Sequence, residues 1–308
     1  MHLTLRQLLI FTAVADTGST TAAGQRVALS QSATSAALHE LERLLDAQLF
    51  DRIGKRLLLN DNGRALLPQA RVLLDGAQDI EDQFRYSLTS GNVNMPATRL
   101  RIGASTTIGG YLLPSLLASY QQAWPAVAVD VHIGNTREVA LSVARLEVDM
   151  GLIEGPCHES ELLVQAWQED ELVVVCAAKH PLRERGEGLR ASVKDLRQVR
   201  WLLREPGSGT REAVEHALLA HLNHFNSEMQ LGSTEAIKEA AAEGLGLACL
   251  SLCAVQDLIT LGRLVVLNTT LPRLTRHFYL VRHRQKHFSA NLERFAAHCV
   301  AMKPLPSE

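Results

Sequence analysis

The sequence predicts an α+β winged helix-turn-helix domain, then a long linker helix, then a two-lobed α/β domain. Three observations predict it. Residues 17 to 52 read as two short helices joined by a tight turn and locked down by a following apolar run. Apolar residues then recur near heptad spacing from Gly63 to about Ser90. The remaining stretch, roughly two hundred residues, alternates strand and helix signals. A chain of 308 residues has room for two or three such domains.

In the first domain, Leu5, Leu8, Leu9, Phe11, Ala13 and Val14 recur at helical spacing, and Gly18 ends that helix. Thr20 or Thr21 starts a second, short helix through Ala22, Ala23 and Val27. Ser30 is a suitable N-cap for a third, from Gln31 to about Leu45. Its inward face is expected at Ala33, Ala37, Leu38, Leu41 and Leu45. Gln31, Ser32, Thr34 and Ser35 are then expected to face outward near its N-terminus, with His39 a turn further on. Short hydrogen-bonding side chains at that place suit base edges and phosphates. After Phe50, Arg52, Lys55 and Arg56 surround Gly54, and Leu57 to Leu59 read as a strand. This is a two-stranded wing with a basic tip, suited to a minor groove or its phosphates.

These residues resemble the LysR-type transcriptional regulators. The resemblance is carried by Thr21-Ala22-Ala23, Ser30-Gln31-Ser32-Ala33, Leu41-Glu42, Leu49-Phe50-Asp51-Arg52, and LLLNDNGRALLPQARVLL after the wing. It implies a regulator of promoter DNA, working as a dimer or tetramer, as activator or repressor, with RNA polymerase as a further expected partner. Two positions depart from the family pattern. Ala36 stands where many members place a basic or long polar residue, and Leu59-Asn60 replaces Leu-Thr, although Asn60 can still cap the next helix.

The linker seam runs through Leu66, Ala70, Leu73, Ala77, Ile80, Phe84 and Leu88. Its steps of three and four call for a partner helix and so for a dimer. The expected organisation is 1–62 for the winged helix-turn-helix, 63–90 for the dimerising linker helix and 91–98 for a hinge. Lobe 1 is expected at 99–165 with 268–302, and lobe 2 at 166–267. Strand signals fall at 100–103, 127–133, 149–153, ELVVVCA, WLLRE, LGLACL, near Leu264 and at HFYLV, with helices between them. Asp149 is read as a strand start at a lobe edge, and HFYLVRHRQKHF as a strand end followed by a solvated turn. The resemblance implies that this part is a periplasmic-binding-protein-like effector domain with a cleft between its lobes.

Several turns put hydroxyls where a strand hands over to a helix: ASTTIGG, GNTREV, REPGSGTRE and LGSTEA. Helix N-termini furnished in this way favour small anions. By position in the family, Ser105, Thr106, Thr136, Ser208 and Thr210 are the candidate effector contacts, with Arg211 as a counter-charge. The expected effector is a small anion such as sulfate, sulfite, phosphate or a small carboxylate. GSGTRE is weakly similar to regulators of sulfur-anion metabolism and of carbon fixation.

Composition narrows the alternatives. The formal net charge of −2 supplies no global positive field, so DNA contact must be local. Five scattered cysteines and twelve histidines show no metal-ligand order. Nucleophile-elbow, Walker and dinucleotide fingerprints are missing, so no catalytic residue, metal or cofactor is expected. The N-terminus is too interrupted for a signal peptide, and no apolar run is long enough for a membrane span, so a cytoplasmic protein is expected. The alternative reading is a cytoplasmic small-solute-binding α/β protein with an incidental N-terminal helical domain.

Overall fold

A computed structural model describes residues 3–54, 56–89, 99–125, 127–182, 190–226, 228–286 and 288–302, without the side chains of 79 and 82–89. The chain divides into two compact units, Met1–Thr98 and Arg99–Glu308.

In the first unit, α1 (Leu5–Thr17) opens on a capping box. The Thr4 hydroxyl accepts the Gln7 amide while the Gln7 side chain accepts the Thr4 amide. Gly18 closes the helix at φ 65°, in the left-handed region that glycine enters freely. Ser19 caps α2 (Thr20–Arg26), and Ser30 caps α3 (Gln31–Leu45). β1 (Phe50–Ile53) and β2 (Arg56–Leu59) pair antiparallel as the wing. Asn60 then accepts the Gly63 amide at 3.0 Å near the start of α4 (Asp61–Thr89). Phe11, Val14, Ala23, Leu38, Leu41 and Phe50 form the core. Burying each of these side chains other than Ala23 contributes about 1.5–3 kcal/mol.

Two expectations are corrected here. The inward face of α3 consists of Thr34, Leu38, Leu41 and Glu42, whereas Ala33 and Leu45 are exposed. Thr34 is fully buried because α2 approaches closely: a Cβ on Gly24 would lie 2.9 Å from the Thr34 hydroxyl oxygen. Its hydroxyl is satisfied internally by the Ser30 carbonyl at 2.9 Å. Glu42 is likewise buried and accepts the Leu49 amide at 2.9 Å. The linker seam also divides. Ala70 is buried in this unit's own core with Leu66, Leu67 and Leu74 against it, while Leu73 and Ile80 remain exposed. The side chains of Phe84 and Leu88 lie outside the described residues.

The second unit begins with β3 (Arg99–Ser105), a π-helical segment over Ile108–Leu112, α5 (Leu113–Ala123), β4 (Ala128–Gly134), α6 (Thr136–Ala144) and β5 (Met150–Glu154). The long β6 (Leu162–Ala177) leads to α7 (Val193–Leu196), β7 (Trp201–Arg204), α8 (Gly209–Leu222), β8 (Glu228–Leu231), α9 (Thr234–Ala242) and β9 (Leu247–Ser251). α10 (Leu252–Thr260), β10 (Leu264–Val266), β11 (Leu274–His283) and α11 (Ala290–Ala301) complete it.

Among the described residues nine strands form one mixed sheet, ordered β4-β3-β5-β11-β6-β9-β7-β8, with β10 also paired to β6. β4, β3 and β5 are parallel, as are β9, β7 and β8. The long antiparallel β6 and β11 join the two parallel halves. Each half has helices and apolar clusters of its own, around Leu116, Tyr120 and Phe295 in one and around Trp201, Leu218 and Leu247 in the other. The parallel strands thus end toward a common seam, the usual place for ligands in such sheets.

Two smaller expectations also change. Asp149 is buried rather than at an edge, and it pairs with Arg101 at 2.6 Å and Lys286 at 3.0 Å. The stretch after HFYLV is not a solvated turn throughout. β11 continues to His283, and both His283 and Lys286 are buried.

Candidate functional site

The first unit presents the residues expected to meet DNA. Gln31, Ser32 and His39 are exposed on α3 and Ser35 is half-buried. Arg52 and Arg56 are exposed on the wing, and Lys55 lies outside the described residues. The Gln31 amide donates to the Thr20 hydroxyl at 3.3 Å, which ties the start of α3 to α2. Thr34 leaves this face for the reason given above. Ala36 is exposed and supplies no charge.

In the second unit the hydroxyl-bearing turns do meet, around a residue that the sequence argument passed over. Glu154 closes the buried strand β5 and is itself 1% exposed. One carboxylate oxygen accepts the Thr107 amide at 2.6 Å, and the other accepts the Thr107 hydroxyl at 2.9 Å. The second oxygen also accepts the Thr210 hydroxyl at 2.5 Å and Nη1 of Arg276 at 2.9 Å. Burial pushes the Glu154 pKa up, but the Arg276 guanidinium and the hydroxyls of Thr210 and Thr107 outweigh it, so the net shift is downward.

Arg276 extends the network through Nε to Asp170 at 2.7 Å, and Ser251 donates to Asp170 at 2.5 Å. Burial is the main reason the Asp170 pKa is raised, and the Glu154 charge adds to it. One buried guanidinium therefore faces two buried carboxylates. Nη2 of Arg276 is buried without a partner among the described residues.

The expected effector residues distribute as follows. Ser105 is buried beside Glu154 at the end of β3. Thr106 accepts Nη1 of the buried Arg204 at 2.7 Å. Thr136 donates to the Glu154 carbonyl at 2.8 Å. Ser208 caps α8, and Thr210 reaches the carboxylate itself. Arg211, the expected counter-charge, turns to other partners. Its guanidinium is held within its own half by Glu215 at 2.7 Å and the Arg204 carbonyl at 2.9 Å. The guanidinium bonded to Glu154 is that of Arg276.

A sequence signal for both missed residues exists. Glu154 is the charge that closes the apolar run MGLI, and Arg276 alternates with Leu274, Phe278 and Leu280 on the buried face of β11. Cys249 and Cys253 form no site. Burial pushes their thiols up to about 12 and about 11, which removes thiolate reactivity. Among the described residues no group of His, Cys, Asp and Glu fits a metal, and no helix is long and apolar enough to cross a membrane.

Comparison with known proteins agrees with this architecture. Residues 5–64 match the family described as bacterial regulatory helix-turn-helix protein, lysR family, and residues 94–303 match the LysR substrate binding domain. The uncharacterized HTH-type transcriptional regulator YeiE of Escherichia coli (strain K12) is 46% identical over 299 residues, covering 97% of this chain and 98% of its own. A RuBisCO operon transcriptional regulator from Allochromatium vinosum is 31% identical over 94% of this chain and 93% of its own. Among solved structures, the Synechocystis PCC6803 CcmR regulatory domain in complex with 2-PG is 28% identical with a TM-score of 0.58, covering 66% of this chain and 96% of that one. The reading as a solute-binding protein with an incidental helical domain is thereby set aside. The chain is a transcriptional regulator and not an enzyme, and it belongs to the LysR family.

Proposed function

We propose that this regulator reads promoter DNA as a dimer or tetramer in the cytoplasm, and that a small anion bound at the Glu154 site controls it. The effector class is sulfate, sulfite, phosphate or a small carboxylate. The observation that carries this reading is the donor set around Glu154: a backbone amide, two hydroxyls and a guanidinium already converge on a carboxylate. A set of this kind recognises oxyanions. The chain's own side chain holds the place, so an incoming anion either displaces Glu154 or binds beside it on Nη2 of Arg276. A similar regulatory domain solved in complex with 2-PG supports a small ligand for this domain.

Thermal unfolding of the full chain with each anion tests the effector. At one hundred times its Kd, the right anion stabilises by about 2.7 kcal/mol. That is a rise of roughly 5–10 °C for a domain of this size. No rise and an unchanged footprint across the panel would discard the anionic effector.

On the DNA side, we assign Gln31, Ser32, Ser35 and His39 to the major groove and Arg52, Lys55 and Arg56 to phosphates. Two such heads are spaced by α4, whose exposed Leu73 and Ile80 suit a partner helix. The two lobes, 99–165 with 268–302 and 166–267, shift against each other when the anion binds, and the heads respace on the DNA and against RNA polymerase. Replacing Arg52 and Arg56 by Ala is expected to weaken binding about equally on specific and random DNA. The slope of log K against log salt should fall by about 2 per protomer. A loss confined to the specific site would instead make the wing a reader of sequence.

A further inference from the structure

The segment that follows β3 crosses to the other lobe a second time, away from Glu154. Within the π-helical segment the Leu113 amide bonds the Ile108 carbonyl, five residues back, and the next residue, Pro114, has no N–H with which to continue an α ladder. Tyr111 sits in this segment, and its side chain meets α9 and α10 of the other half. Lys238 on α9 is 1% exposed. Its ammonium donates to the Tyr111 hydroxyl at 2.9 Å and to Asp257 on α10 at 3.0 Å, with Glu235 at 3.3 Å. It also lies 5.0 Å from the centre of the Tyr111 ring. The Tyr111 hydroxyl in turn donates to Glu235.

We infer that Tyr111 and Lys238 form a latch that sets how readily the two lobes close, in addition to whatever the anion contributes. Lys238 loses its water in the closed form, and Tyr111 replaces part of that shell with a hydroxyl and a ring face. Opening the lobes withdraws Tyr111 and returns the ammonium to water. None of these four residues bonds Glu154, Asp170 or Arg276, so the latch is a positioning device and not a ligand contact. It rests on the proposed anion site only for its effect on affinity, because apparent affinity scales with the fraction of closed molecules.

The test compares the wild-type full chain with Tyr111→Phe, which keeps the ring and removes the hydroxyl. Sulfate and phosphate are the probes, and amide hydrogen exchange is followed in the ligand-free protein. The latch predicts faster exchange in α9 without ligand, by about ten-fold or more, the loss expected when a hydrogen bond to a charged group is removed. It also predicts that the variant weakens every anion that binds by one common factor. Unchanged exchange in α9 overturns it. Selective loss of one anion also overturns it, since Tyr111 would then be a ligand contact. If the wild type binds neither anion, the effector proposal fails for these probes, and exchange in α9 alone decides for or against the latch.

Discussion

Replacing Arg276 by Met is expected to be the most destabilising single change in the second unit. The variant removes the only cation bonded to both Glu154 and Asp170 among the described residues, and leaves two carboxylates buried together. Breaking a buried pair in this way costs about 3–5 kcal/mol. For a domain of this size the melting temperature should fall by on the order of 10 °C. The pH dependence has a definite sign. In the wild type the lowered pKa of Glu154 contributes stability above its unfolded pKa, which is lost as the pH falls through its folded pKa. Without Arg276, burial is opposed only by the hydrogen bonds from Thr107, Thr210 and Ser251, so both folded pKa values rise above those of the wild type. The folded variant then binds more protons than the folded wild type, so it gains on the wild type as the solution is acidified and falls behind as the pH rises. Denaturant titrations at several pH values measure this. A deficit that does not change between pH 4 and pH 8 would show that the charge network is not its cause.

The second large effect is expected at Gly209. A Cβ there would lie 1.6 Å from the Glu154 carbonyl oxygen and 2.5 Å from the Thr136 hydroxyl. The nearest obstacle is backbone, which cannot rotate away, so in Gly209→Ala the start of α8 has to withdraw from β5. Thr210 then loses its bond to the Glu154 carboxylate and Thr136 its tight seat. We expect a loss of about 3 kcal/mol or more, at the severe end for a point substitution. The thermal response to anions should disappear as well, while the DNA-binding unit, folded separately, keeps its helicity and its non-specific DNA affinity. A variant as stable as the wild type, still stabilised by the same anion, would refute the close approach at this seam.

What could be read from the sequence was local. Caps such as Ser30 and Asn60, the left-handed Gly18 and the spacing of Leu38 and Leu41 act within a few residues, and each lies where expected. The exceptions in the first unit are residues whose environment comes from another helix. Thr34 turns inward because Gly24 lets α2 approach, and no signal on α3 itself reveals that. Ala70 is drawn into the core by α1 in place of a partner helix.

In the second unit the hydroxyl turns were legible, because each is a helix N-terminus. Their common partner was not. Glu154 meets Thr107 across 47 residues and Arg276 across 122. Arg276 faces Asp170 only because β11 and β6 pair in that register. Side-chain chemistry marks such residues as unusual on a buried face, but strand order decides which of them meet.

That pairing has a mechanical consequence. β6 and β11 run through both halves of the sheet, paired with each other from Leu162–His283 to Leu172–Leu274 with one register shift. The lobes are therefore joined by a ribbon and not by a loose tether. Pulling them straight apart would break the ladder, whereas twisting the ribbon about its own axis leaves the ladder intact. Its compliant point is the register shift between Phe278 and Tyr279, two residues from Arg276. A load applied at Arg276, such as a bound anion, would act close to the axis of that ribbon, where a small rotation moves the rim of each lobe furthest.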